Sequence, residues 1–537
     1  MFVAESYDYV IVGGGSAGCV LANRLTEDGD VSVLLLDAGP DPETEIDESF
    51  KAILRKPELF QLMQRSELDW GYRTEPSPAL AGRRIDCPRG RILGGSSTFI
   101  AGVYVRGTPG DYNGWARLGN PGWAWEEVLP YLKKLEGNQG QSLSPGYHNE
   151  DGPLRVNDFG ENSEVGKAYI QACRDIGYPT NNDFNDGSQE GAGFYQLYLD
   201  DEGLRVSSVN GYLTPKVRGR KNLTIRSQTQ ATKIQLTSRD GAIRAAGVDY
   251  RGWGSRETKP LTVWADLEVI VSCGAIDTPK LLMLSGLGPS DELDRHGIEP
   301  VKVLPGVGEN LQDHVLSPVV YSYKSGKEPP LIHTGIEGAL FLETRPGLDR
   351  PDLQLILNHA LLGIPGAVPD TSKFMLVPIC GAPFSRGRIR LTDASPTSPP
   401  RIFADYLNDE RDIEVLARGI EVSLEIFAHP AFDQLRGDLM FPPAQKKGQP
   451  TDEEIRSYIR DFAGVTFHPA GTCQMGPKPE DAVDPAVVDH ELRVHGIPSL
   501  RVVDASIMPR ITCGNTQTPT TMIAEKGADL IKRSRSA

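Results

Sequence analysis

The chain has 537 residues, 39% of them hydrophobic and 24% charged, which is the profile of a soluble globular protein too long for one ordinary core, so two lobes are expected. Its formal net charge is −16 with a pI near 5.2; a surface that negative repels phosphate backbones and anionic lipid, which argues against nucleic-acid and membrane partners. The seven cysteines are scattered, odd in number and without a Cys-x-x-Cys pair, so no disulfide framework and no thiolate metal site is expected, and a reducing cytoplasmic setting fits best.

In chain order, Met1 to Asp8 shows neither a basic nor an apolar leader segment, and no apolar run is long enough to span a bilayer. Tyr7 to Val12 reads as a short buried strand. Residues 13–18 are Gly-Gly-Gly-Ser-Ala-Gly, Cys19 to Leu25 continues with helical spacing, and Val31 to Leu36 is a second apolar strand. In Gly13-x-Gly15-x-x-Gly18 the first glycine makes the tight turn. The second lets backbone amides approach a pyrophosphate, and the third lets helix and strand pack closely. Asp37 ends the second strand nineteen residues after Gly18, where an acid accepts from ribose hydroxyls. This pattern defines an adenine-dinucleotide site and does not choose between NAD and FAD. A second glycine loop, Gly94-Gly95-Ser96-Ser97, lets amides come close to a flat ring system and to phosphates.

Leu267 to Ser272 is a further strand, followed by Gly274 and a helical run over Thr278 to Leu284. From about 315 to 460 the nucleotide-site signals stop. Apolar and polar residues alternate over Pro318 to Tyr323, Leu353 to Leu357 and Gly387 to Leu391, and a helix follows over Glu410 to Ile426. Leu500 to Val503 is a last strand, and Ala524 to Ile531 closes the chain as a helix. The expected fold is α/β. A Rossmann-like dinucleotide lobe takes residues 1–155, 201–314 and 463–537. An inserted substrate lobe, a mainly antiparallel sheet flanked by helices, takes 156–200 and 315–462.

Six segments in a fixed order carry a resemblance. They are Tyr7 to Leu25, Gly90-Arg-Ile-Leu-Gly-Gly-Ser-Ser-Thr98, Gly274 to Gly288, Pro305-Gly-Val-Gly-Glu-Asn-Leu-Gln-Asp-His314, His468-Pro-Ala-Gly-Thr-Cys473 and Asp504-Ala-Ser-Ile-Met-Pro509. Through them the chain resembles the glucose-methanol-choline (GMC) oxidoreductases over nearly its whole length, in the branch of choline and alcohol dehydrogenases. The resemblance implies FAD. Beside the fingerprint it implies cofactor contacts at Ser16, Ala17 and Ala38. Leu93, Gly95, Ser97, Ile100, Ala101, Gly102 and Val103 are implied along the flavin, and the backbone of Ala231 at the adenine. Asp504 and Ala505 are implied at the ribityl and phosphate portion, and Asn515, Thr516 and Pro519 near the ring.

His468 aligns with the family's catalytic histidine, and Asn515 with the position of a second histidine or an asparagine. The resemblance therefore implies His468 as general base and Asn515 as hydrogen-bond donor to the substrate oxygen, while the carbon-bound hydrogen leaves as hydride to flavin N5. Imidazole suits a proton transfer near neutral pH. Ile100 departs from the family pattern of Asn or His; with no nucleophile there, the FAD is expected to be non-covalent. Gln517, Thr518 and Arg510 also depart from it, and Arg510 is a candidate to hold an anionic group or to pair with a surface acid. His314 is expected to pack near the cofactor lobe. His333 and His359, with the loop from Phe60 to Trp70, are candidates to border the substrate cavity.

The expected activity is oxidation of a small-molecule primary alcohol, aliphatic or aromatic, to the aldehyde, with electrons passed to oxygen or another acceptor. A hydroxynitrile-lyase-like enzyme that keeps FAD without net redox chemistry and a flavin photodecarboxylase are the alternatives.

Overall fold

The computed structural model describes residues 5–536 except 141–142, 159–161, 240, 256–258, 332–333, 362–369, 444–449 and 479–484. It contains two eight-stranded sheets. In the first, the strands Leu223–Arg226, Val33–Leu36, Ser6–Val12, Leu261–Val271 and Ile497–Val502 lie side by side in parallel. Val33–Leu36 and the second half of Ser6–Val12 are wholly buried, as strands covered on both faces must be. Leu261–Val271 serves two neighbours. Its end, Val269 to Val271, pairs with Leu500 to Val502, and its start pairs antiparallel with Ala242–Gly252, which hairpins to Thr229–Arg239.

The helix Ser16–Leu25 packs against the last helix, Gln517–Ser536. Between them Glu525, fully buried, accepts from Arg24 at 2.8–3.0 Å and from the Tyr212 hydroxyl at 2.8 Å, and Lys134 lies 2.9 Å away. One carboxylate with three partners is how a buried charge becomes tolerable.

The second sheet runs Arg436–Phe441, Val319–Tyr323, Lys373–Cys380, Leu353–Asn358, Ile336–Leu342, Gly191–Phe194, all antiparallel. The helix Glu410–Ala428 covers one face. Leu353, Leu355 and Leu357 belong to the main core, and Ile356, Val377 and Ile379 to a separate apolar cluster with Val103 and Leu316. That is the alternation a pleated strand imposes. The fold is thus α/β, with a Rossmann-like sheet and an antiparallel sheet flanked by helices.

Several elements differ from expectation. The segment expected as a strand over Gly387 to Leu391 is Arg388–Arg390, paired only with Arg401–Phe403 in a small ribbon. Gly387 is fixed to Leu311 by two backbone hydrogen bonds, which hold the segment away from the second sheet. The helix expected from Thr278 starts at Gly274, and the closing helix starts at Gln517 rather than Ala524. The strand expected from Leu267 begins at Leu261, its alternation masked by exposed Asp266 and Leu267. Among the described residues all seven cysteines are free, and no helix is long and apolar enough to cross a membrane.

Candidate active site

One long cavity runs from the glycine fingerprint to the seam between the two sheets. At its first end Gly13 has a positive φ of 98°, and an added Cβ would meet the Ser272 carbonyl oxygen at 2.5 Å. A Cβ on Gly18 would lie 2.0 Å from the Gly13 carbonyl oxygen, which is why strand and helix approach so closely here. A Cβ on Gly15 would meet only the Gly95 Cα at 3.9 Å, so the amides at the start of the helix stay open toward the cavity. Asp37 accepts from the Gly14 and Gly39 amides at 2.8 Å, and burial raises its pKa to about 6. Asp504 accepts from the Gly274 amide at 2.8 Å, the Thr278 hydroxyl at 2.6 Å and the Ser506 amide at 2.8 Å. It thereby joins two of the sequence segments at the cavity wall.

Of the residues singled out in the sequence, Gly13, Gly15, Ser16, Ala17, Asp37, Ala38, Gly95, Ala231, Asp504 and Ala505 line this cavity, as do Ile100, Ala101, Gly102, Val103, Asn515, Thr516 and His468. Gly18, Leu93, Ser97 and Pro519 do not. Leu93 is fully buried beneath Gly14. Ser97, also buried, donates to the Gly94 carbonyl and accepts from the Ser208 amide, so it shapes the glycine loop from behind. Gln517 and Thr520 line the wall in place of Pro519, and Gln517 accepts from the Ser16 hydroxyl at 2.8 Å. Arg510 is exposed and off the cavity wall. His359 is buried beside Glu337 and also off the wall. His333 and the Phe60 side chain lie outside the described residues, whereas Gln64 and Trp70 border the cavity.

His468 reaches the cavity through a bulge. Gln312 pairs with Ala470 and Val315 with Val465, so Asp313 and His314 stand opposite four residues, Thr466 to Pro469. The surplus loops out and carries the imidazole with it. Phe467 takes a positive φ of 63°, strained for a bulky side chain. Its carbonyl accepts from Arg89 at 2.6 Å, and the next amide, that of His468, donates to Asp313 at 2.8 Å. Asp313 also accepts from the Tyr406 hydroxyl at 3.0 Å. These bonds hold the strained turn.

The proton positions follow from the neighbours. His468 and His314 face each other Nδ1 to Nδ1 at 3.0 Å, so one proton lies between them. His314 also lies against the backbone of Gly381 and Thr512, and its buried Nε2 has no hydrogen-bond partner among the described residues. We assign the Nε2–H tautomer to His314, which leaves its Nδ1 to accept from His468. Thr466 offers a second acceptor to the same His468 nitrogen at 2.8 Å. The Nε2 lone pair of His468 is left pointing at Asn515, whose Nδ2 is 3.4 Å away. The Asn515 Oδ1 is buried without a partner among the described residues. Burial, then His314 and Arg89, hold His468 well below the usual imidazole range, and burial pushes His314 down to about 3, so both rings are neutral at pH 7.

Sequence reasoning brought His468 and Asn515 together and missed their surroundings. Thr466, Phe467, Asp313 and Arg89 were not singled out, and His314 was expected only to pack. A signal existed, since Asp313-His314 and His468 each sit in a quoted motif, but pairing them needs the sheet register.

An open helix N-terminus, close glycine pairs, a buried acid at the end of the second strand and a neutral imidazole at the far end of one cavity fit a dinucleotide-dependent oxidoreductase. Two family models match the chain, both described as GMC oxidoreductase, over residues 7–316 and 383–524. The chain belongs to the GMC oxidoreductase family, and it is an FAD-dependent enzyme acting on CH–OH donors. An alcohol dehydrogenase [acceptor] of Pseudomonas putida is 38% identical, covering 98% of this chain and 96% of its own length. A mitochondrial choline dehydrogenase of Homo sapiens is also 38% identical, covering 98% and 90%. The crystal structure of pyridoxine 4-oxidase from Mesorbium loti superposes with a TM-score of 0.88 at 32% identity, covering 98% of this chain and 99% of that one.

Proposed function

We propose that this chain oxidises a primary alcohol, aliphatic or aromatic, to the aldehyde, with His468 as general base, Asn515 as hydrogen-bond donor to the substrate oxygen, and non-covalent FAD. The observation that carries this reading is the convergence of the unprotonated His468 Nε2 and the Asn515 Nδ2 on one point of the cavity, 3.4 Å apart. A hydroxyl placed there loses its proton to His468 and keeps its oxygen against the Asn515 amide. The positive charge gained by His468 is shared with His314, whose Nδ1 accepts from it, and with the Thr466 oxygen. Bound FAD supplies the acceptor for the carbon-bound hydrogen, and its electrons pass on to oxygen or another acceptor. Ile100, which lines the cavity without a nucleophile, supports a cofactor held by contacts alone. The cofactor lobe is assigned to residues 1–155, 201–314 and 463–537. The substrate lobe is assigned to 156–200 and 315–462, where nearly all strands of the second sheet originate.

The test is His468→Ala. The variant is expected to purify yellow and to be reduced anaerobically by benzyl alcohol at least ~10²-fold more slowly than the parent. Reduction at the parent rate removes His468 from the mechanism. Failure of every alcohol to bleach the parent flavin overturns the oxidation itself and favours a lyase.

A further inference from the structure

We propose that the site selects neutral, apolar alcohols and rejects an alcohol bearing a fixed positive charge; this rests on the alcohol oxidation at His468 proposed above. Beyond His468 the cavity is walled by the second sheet. Strand alternation turns Ile356, Val377 and Ile379 to this side, with Leu316 and Ile336 beside them. Ile356 pairs across strands with Val377, and Leu316 with Ile379, so the wall is continuous and aliphatic. Asn358 is the polar side chain this sheet adds, and it is neutral.

The carboxylates that line the cavity are Asp37, Asp277 and Asp504. Asp37 is engaged by the Gly14 and Gly39 amides, Asp277 by the Tyr72 hydroxyl, and Asp504 by Gly274, Thr278 and Ser506. All three belong to the glycine-rich half of the cavity. Asp313 is off the cavity wall, beneath the His468 peptide. Among the described residues no carboxylate lines the wall facing His468. The charged side chain that lines the cavity beside His468 is a cation, Arg89, fixed to the Phe467 carbonyl.

A quaternary ammonium cannot shed its charge and donates no ordinary hydrogen bond. To leave water it needs an anion or a set of aromatic faces. Trp70, Phe99 and Phe467 line the cavity; Trp70 is packed on Tyr72 and Trp253 beside Asp277, in the glycine-rich half, and the Phe467 backbone is held by the Arg89 guanidinium, which repels a cation brought to that side. A tert-butyl, alkyl or aryl group meets no such penalty and buries apolar surface on the aliphatic wall. Overall identity to choline dehydrogenases therefore does not carry choline as a substrate to this chain.

The decisive pair is choline and 3,3-dimethylbutan-1-ol, alike in shape and different in charge. The holoenzyme is mixed anaerobically with each, with hexan-1-ol and benzyl alcohol alongside, and loss of visible flavin absorbance is followed. The neutral isostere is expected to reduce the flavin with a second-order rate constant at least ~100-fold above that of choline. Choline reacting as fast as the isostere overturns the selection while leaving alcohol oxidation standing; no reaction with any alcohol overturns alcohol oxidation, and the selection with it. In Ile356→Asp, assayed at pH 8, the choline-to-isostere ratio is expected to rise at least ~10-fold. A folded, yellow variant with an unchanged ratio shows that this wall does not set the preference.

Discussion

An alanine methyl at Gly18 would sit 2.0 Å from the Gly13 carbonyl oxygen, whereas at Gly15 it would meet nothing closer than the Gly95 Cα at 3.9 Å. Gly18→Ala is therefore expected to yield little folded protein, and Gly15→Ala to fold with unchanged far-UV circular dichroism but without yellow colour. Equal flavin content in parent and Gly15→Ala would contradict the placement of the phosphates. His314 offers a second pair of readouts. His314→Phe keeps a ring but removes the acceptor that fixes the His468 tautomer. Flavin reduction by benzyl alcohol is expected to slow by about 3- to 10-fold, the worth of one hydrogen bond, with the flavin spectrum unchanged. Folding also holds His314 neutral, at about 3 against an ordinary 6.5, so between those values the unfolded chain binds a proton that the folded chain refuses. The stability linked to this residue is complete above pH 6.5 and is lost as pH falls toward 3. Urea unfolding at pH 7 and pH 5 should show a smaller loss for His314→Phe than for the parent. The glycines were legible in sequence because they form a local pattern, and His468 because its segment resembles the family's. The pairing of His314 with His468 was not, because that contact spans 154 residues.

Element boundaries show the same division. The strands Ser6–Val12 and Val33–Leu36 were readable because burial on both faces demands an unbroken apolar run. The helix Gly274–Leu284 was read four residues short because its N-cap residue, Cys273, makes no side-chain cap. Its first amide is instead satisfied by Asp504, 230 residues away, and no local rule sees such a cap. Asp504→Ala leaves the Gly274 amide, the Thr278 hydroxyl and the Ser506 amide without their acceptor. A destabilisation of roughly 1–3 kcal/mol is expected, read as a lower melting temperature, with Asp504→Asn intermediate because it keeps one acceptor oxygen. The bulge that presents His468 is likewise a property of two strands together: Thr466 to Pro469 looks ordinary until its partner contributes only Asp313 and His314.

Over the whole molecule, the cavity is bounded by both sheets and by segments from residue 12 to residue 520. A cofactor that bridges so many segments stabilises the folded state by mass action. Deflavinated protein is expected to melt at a lower temperature and to recover on addition of FAD. Because Ile100 offers no point of attachment, acid precipitation should leave the yellow colour in the supernatant, and colour retained in the pellet would refute non-covalent binding. The α/β plan with its antiparallel second sheet was visible in periodicity, since a change of hydrophobic period marks where one kind of sheet gives way to another. The aliphatic wall opposite His468 was not, because alternate residues of separate strands compose it.

The glycine fingerprint leaves the ribosome well before the rest of its cradle does. Strand Ile497–Val502, Asp504 and the helix beginning at Gln517 supply one side of it, and Gln517 closes on Ser16. At translation rates of about 5–20 residues per second, tens of seconds separate the two. A nascent chain thus displays a dinucleotide motif long before it owns a dinucleotide site, and flavin loading waits until the segment through Gln517 has been made.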